Sequence, residues 1–131
     1  MIDAGRSHRI TQLRAAITQF HPQPSFSCLF GSTARGDAGR LSDIDVGVYF
    51  ASEVPLTVLA RLNEDLEEAA GSTVDLVELS GLWKRKPTLS YGIACEMQVL
   101  TVEDRDALVH FRKRSFLEYM DTEPLRRRMK D

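Results

Sequence analysis

The sequence predicts an α/β (α+β) fold: a mixed central sheet of about four strands with helices packed on it. Three observations carry this. Helix-spaced and strand-spaced apolar patterns alternate along the chain in the order α-β-α-β-α-β-α-β-α. Glycines and prolines fall between the patterned segments, where turns belong. The 131 residues, 43% hydrophobic and 27% charged, suffice for one domain with a real core.

Each element has a local reason. Residues 7–20 repeat apolar side chains at Ile10, Leu13, Ile17 and Phe20, the spacing of a helix, and His21-Pro22-Gln23-Pro24 stops it. Ser25 to Phe30 is short, apolar and aromatic, hence a strand. Gly31 breaks it, and Ser32 is placed to cap a short helix through Arg35. Residues 37–42 form a polar loop around Gly39. From Asp43 to Phe50 the residues alternate as in a strand, with Ile44, Val46, Val48 and Phe50 on one face and Asp43, Asp45, Gly47 and Tyr49 on the other. Pro55 opens a second long helix and Gly71 closes it. Its inward stripe is Leu59, Leu62, Leu66 and Ala69, and its outward face holds Glu64, Asp65, Glu67 and Glu68. Thr73 to Leu79 is a third strand rich in β-branched residues. Gly81 to Pro87 is a loop, Thr88 to Glu96 a short helix, and Met97 to Val102 a fourth strand. Asp104 caps a last helix that runs to about Asp121. Residues 122–131 are expected to be a loose tail on a single domain spanning 1–131.

Composition narrows the function. No apolar stretch approaches the roughly 18 residues that span a bilayer, and Met1-Ile2-Asp3-Ala4-Gly5-Arg6 lacks the apolar core of a secretion signal. A cytoplasmic protein without a membrane role is expected. Cys28 and Cys95 form no CxxC and read as small core residues, with no disulfide. A net charge of −2 argues against direct nucleic-acid binding. Residues 41–80 hold nine acids and one base, Arg61, whereas residues 81–131 hold eleven bases and eight acids. An acidic middle suits a cation site. The clusters Lys84-Arg85-Lys86, Arg112-Lys113-Arg114 and Arg126-Arg127-Arg128 serve either as solvated faces or as contacts for phosphates or an acidic partner.

The chemistry concentrates in one run, from Leu29 to Val48. On a strand, Asp43 and Asp45 point the same way, with Cα atoms roughly 6.6 Å apart. That spacing suits a pair of divalent ions about 3.5–4 Å apart. Gly31 and Ser32 upstream offer backbone N–H groups and a hydroxyl to phosphates. Asp75 supplies a third carboxylate from the next strand, where a charge inside an apolar run is costly unless paired or coordinating. Alternation favours Asp75 over Glu78, which lies on the opposite face. Asp75 in an ion pair with Arg35 or Arg40 is the structural alternative. Other motifs fail on chemistry. Gly31 and Gly36 have P-loop spacing, but Asp37 stands where the phosphate-binding lysine belongs. Ser32 lies outside any GxSxG elbow, and His8, His21 and His110 show no ligand spacing.

Gly31-Ser32, Asp43-Ile44-Asp45 and Asp75 resemble the signature of the polymerase-β-type nucleotidyltransferases. Within that superfamily, Phe30 to Asp37, Leu41 to Asp45, Val74-Asp75-Leu76-Val77 and Phe116 to Asp121 are similar to the minimal, MntA-like antitoxins paired with HEPN toxins. The resemblance covers roughly residues 8–121. Where such proteins often carry a glycine before the fourth strand, this chain reads Ala94-Cys95-Glu96-Met97-Gln98. The resemblance implies a polymerase-β-like fold and transfer of AMP from ATP, with two Mg²⁺ ions, to a tyrosine hydroxyl of a HEPN-domain toxin. It implies metal-binding and catalytic roles for Asp43, Asp45 and Asp75, and nucleotide binding by Gly31, Ser32, Arg35 and Ser42. Two other readings stay open on the residues: a small-molecule (aminoglycoside-type) adenylyltransferase, and a non-catalytic antitoxin that acts by binding alone.

Overall fold

A computed structural model describes residues 4–35 and 43–124. The loop expected over 37–42, the cluster Arg126-Arg127-Arg128 and most of the expected tail lie outside the described residues. The elements are α1 (Ala4–Gln19), β1 (Phe26–Leu29), α2 (Gly31–Arg35), β2 (Ile44–Tyr49), α3 (Leu56–Ala70), β3 (Val74–Glu78), α4 (Leu82–Arg85), α5 (Pro87–Glu96), β4 (Gln98–Val102) and α6 (Arg105–Asp121). The four strands form one sheet in the order β3-β2-β1-β4. β1 runs antiparallel to both β2 and β4, and β2 runs parallel to β3. A parallel pair needs a crossover, which α3 provides. The expected mixed sheet is therefore present.

The sheet separates two apolar layers. On one face Ile44, Val46, Val48 and Phe50 of the β2 segment meet Leu13, Ile17 and Phe20 from the first helical segment and Leu62 and Leu66 of α3. The helical and strand periods read from the sequence thus converge on one core. On the other face Phe26 and Cys28 pack with Leu79, Leu82, Ile93, Leu108 and Phe111. Phe111 is fully buried and lies against Phe26, Tyr49 and Trp83 at ring-centroid distances of 5.7, 6.4 and 6.3 Å. Between α5 and α6 the buried hydroxyls of Ser90 and Ser115 satisfy each other at 2.7 Å, which lets two polar groups sit in this layer at little cost.

The turn chemistry follows the sequence. Gly71 ends α3 at φ 66°, and its N–H donates to Glu67 O at 2.9 Å, the left-handed cap that glycine adopts without a Cβ penalty. The Asp104 carboxylate accepts from Asp106 N at 3.0 Å and caps α6. At the turn before β4, Met97 adopts φ −62°, ψ 142° and donates to Ile93 O at 2.9 Å. That backbone suits any residue, so no glycine is required there.

Four expectations need correction. The segment 81–87 contains a helical turn, α4, because burying Leu82 forces its backbone groups to pair locally, as in Lys86 N to Leu82 O at 2.8 Å. Ser32 lies inside α2 rather than ahead of it. The helix already includes Gly31, and Ala34 N reaches back to Phe30 O at 3.2 Å. Cys28 is a core residue, its thiol pushed up to about 12 by burial, but Cys95 is exposed. Glu67 is not a solvated face residue: its carboxylate accepts from Val74 N at 2.9 Å and ties α3 to the start of β3. Among the described residues, no helix is long and apolar enough to cross a membrane. Replacing Phe111 with Ala is expected to cost about 3–5 kcal/mol, measured as a lowered urea midpoint.

Candidate active site

The start of β2 fixes the site. In the parallel β2–β3 ladder Asp45 is the register partner of Asp75, so the two backbones are about 4.8 Å apart and both side chains leave the sheet on one side. Gly47, two residues on, marks which side. A Cβ there would meet Cys28 Sγ and Leu79 Cδ1, each at 3.0 Å, so the carboxylates emerge on the face that carries α4, α5 and α6. Asp43 precedes β2 and is exposed, with Ile44 buried between it and Asp45. Asp75 is also exposed. The expected burial penalty therefore does not apply to it, whereas its facing is as read from alternation. Among the described residues Asp75 makes no ion pair. Arg40 lies outside the described residues. Glu78 plays a different part. Its two carboxylate oxygens accept from Phe50 N at 3.3 Å and Ser80 N at 2.8 Å, which locks the far end of the same strands.

The turn after β1 closes over Asp45. Gly31 sits at φ +59°, and a Cβ on it would lie 2.9 Å from Asp45 Oδ2. Only a residue without a side chain lets the backbone approach the carboxylate this closely. Phe30 N donates to Asp45 O at 3.1 Å, and Asp45 N donates to Thr33 Oγ1 at 3.0 Å. Thr33 is a site residue that the sequence pattern does not single out. The Ser32 side chain and all of Ser42 lie outside the described residues. Arg35, expected to face phosphates or to pair with Asp37 or Asp43, forms an ion pair with Glu96 at 3.0 Å; Asp37 lies outside the described residues. It is near enough for its charge to act on Asp45. Arg6 reaches across from α1 to the other end of α2. Its guanidinium donates to Thr33 O at 3.2 Å, Ala34 O at 3.4 Å and Gln98 Oε1 at 2.9 Å, which satisfies carbonyls the short helix leaves open.

Burial raises the Asp45 carboxyl above the usual aspartate range, and the Asp75 and Asp43 charges push the same way. The Thr33 hydrogen bond and the Arg35 charge pull it back. Three acids that repel are stable together when a cation offsets them. Among the described residues, no three His, Cys, Asp or Glu side chains are gathered tightly enough to cage a metal by themselves. That donor set still fits Mg²⁺, which binds hard oxygens, keeps several waters and takes one or two carboxylates together with substrate phosphates.

Residues 14–106 match the family described as Polymerase beta, Nucleotidyltransferase. The chain belongs to this family. The nucleotidyltransferase is also similar to a Methanocaldococcus jannaschii protein provisionally named protein adenylyltransferase MJ0435. The two are 39% identical over 54 residues, which is 41% of this chain and 58% of that relative. The chain thus spans little more than half of the relative's length. Among solved structures it is similar to a chain in the crystal structure of a toxin–antitoxin with AMP-PNP, at TM-score 0.78 and 23% identity over 93% of this chain and 95% of that one. It is also similar to a chain in the complex of a tri-AMPylated Shewanella oneidensis HEPN toxin with an MNT antitoxin, at TM-score 0.74 and 20% identity over 96% of each. A third neighbour belongs to a toxin–antitoxin MntA–HepT crystal structure, at TM-score 0.71 and 21% identity over 94% of each chain. At these identities the likeness is one of fold.

Two outcomes test the geometry. Because the folded protein holds the Asp45 proton more tightly than the unfolded chain does, its stability falls as pH rises through the interval above the ordinary aspartate pKa. Asp45→Asn is therefore expected to melt a few degrees higher than wild type at pH 7, with the two curves converging below about pH 4. Gly31→Ala is expected to cost about 1–2 kcal/mol from the left-handed backbone alone, read by thermal or urea unfolding.

Proposed function

We propose that this nucleotidyltransferase is a Mg²⁺-dependent protein adenylyltransferase and antitoxin, acting in the cytoplasm. It moves AMP from ATP to a tyrosine hydroxyl of a HEPN-type ribonuclease toxin and thereby neutralises it. The observation that carries this reading is the register pairing of Asp45 with Asp75, with Asp43 two residues upstream, beside the glycine turn. Family membership supports nucleotidyl transfer. The protein adenylyltransferase name and the AMPylated toxin complex support a protein acceptor, and the neighbour crystallised with AMP-PNP supports an adenine nucleotide.

In this mechanism the acceptor hydroxyl oxygen attacks the α-phosphorus of ATP, the bond to the bridging oxygen breaks, and pyrophosphate leaves. Asp75 takes the proton from the hydroxyl. Asp43 and Asp45 would hold Mg²⁺, and Asp75 would complete the carboxylate set on the acceptor side. When bound, the metal would supply charge to offset the phosphates and to acidify the attacking hydroxyl. Gly31 lets the backbone approach the phosphates closely, with Ser32 and Ser42 as further nucleotide contacts. Arg35, held by Glu96, offsets developing negative charge.

The test is co-expression with a HEPN-type toxin from the neighbouring reading frame, followed by intact mass measurement. Adenylate-sized additions on the toxin are expected with wild type, none with Asp43→Asn, and transfer slowed by about 10²–10⁴-fold with Asp75→Asn. EDTA is expected to abolish transfer. Protection of cells by the triple alanine variant at Asp43, Asp45 and Asp75, with an unmodified toxin, overturns the proposal in favour of binding alone. Labelling of small-molecule drugs but not of toxin overturns it in favour of the aminoglycoside-type reaction.

A further inference from the structure

The geometry points to Thr33 as the positioning residue of Asp45, whose hydroxyl fixes how the carboxylate is presented to the nucleotide and its metal; this rests on the function proposed above. In a strand, the N–H and C=O of one residue face the same neighbour. The Asp45 carbonyl faces the β1 side, where it accepts from Phe30 N at 3.1 Å. Its N–H therefore faces that side too, but β1 has already ended at Leu29. The Phe30 carbonyl that would accept this N–H instead turns into α2, where it accepts from Ala34 N at 3.2 Å, and Thr33 Oγ1 takes its place at 3.0 Å.

A hydroxyl has one proton. With its oxygen engaged by the Asp45 N–H, the Thr33 hydroxyl keeps its proton to turn toward the Asp45 side chain. The Asp45 backbone is thus held at both its groups, the carbonyl by Phe30 N and the N–H by Thr33. Gly31 closes the third side, within 2.9 Å of Oδ2 measured from its Cβ position. The remaining lone pairs of the carboxylate are left to point away from the turn. Thr33 is itself anchored, since its carbonyl accepts from Arg6 at 3.2 Å and the same guanidinium grips Gln98 of β4 at 2.9 Å. A partner of this kind typically changes metal affinity by about 10–100-fold when removed.

The experiment compares wild type with Thr33→Ser, Thr33→Ala and Thr33→Cys, each first checked for a cooperative thermal transition. Mn²⁺ binding in the presence of AMP-PNP is measured by electron paramagnetic resonance, and AMP-PNP binding without metal by calorimetry. The expected result is Mn²⁺ affinity close to wild type for Ser, and about 10–100-fold weaker for Ala and Cys, with metal-free nucleotide affinity unmoved. Cys fills the volume without the short hydrogen bond, so it carries the test even where Ala fails to fold. Wild-type Mn²⁺ affinity in Ala or Cys overturns the proposal. So does a loss in Ser equal to that in Ala, or an equal loss of metal-free nucleotide binding, which marks a merely structural role. Failure of the wild-type protein to bind Mn²⁺ with AMP-PNP overturns both this proposal and the function on which it rests.

Discussion

Two carboxylates set opposite each other on parallel strands repel, and the rest of the site is arranged around that conflict. Asp45 and Asp75 are register partners, so neither moves away without breaking the β2–β3 ladder. The apolar layer of Ile44, Val46 and Val48 on the other side of β2 pins the register, because a slip of one residue would bury Asp45 and expose its neighbours. The core thus supplies the free energy that holds the charges together. Burial first, and then the Asp75 and Asp43 charges, raise the Asp45 carboxyl above the usual aspartate range.

The polar ties around this pair share one purpose. Phe30 and Thr33 hold Asp45 from the β1 side, Arg6 holds the end of α2, and Glu96 holds Arg35. At the opposite end of the strands, Glu78 binds two backbone N–H groups. The two acids of β3 thus divide the work. Asp75 stays exposed, and Glu78, its carboxyl raised chiefly by burial, serves the backbone.

Much of this is legible in the sequence because it follows from periodicity. The 3.6 and 2.0 repeats locate most of the helices and strands and put Asp45 and Asp75 on one side of the sheet. Facing alone separates Asp75 from Glu78. Burial cost misleads at Asp75, since an apolar run in sequence does not reveal that the position opens to solvent. Thr33 escapes notice because its role depends on where β1 stops relative to β2, a fact of pairing that no single strand records. Arg6 and Glu96 escape for a related reason: they act across 27 and 61 residues of chain, and long-range polar pairs leave no local pattern. A polar residue just after a glycine turn, opposite a strand that outlasts its neighbour, is the signal that points to Thr33.

The sheet order has one more consequence. Among the described residues β3 is an outermost strand, bonded on one side only, so Asp75 stands at the rim while Asp45 lies between β3 and the turn that follows β1. Insertions beyond that border can reshape what meets Asp75 without disturbing the β1–β2 pairing behind it. The surroundings of one carboxylate can therefore vary while those of the other stay fixed.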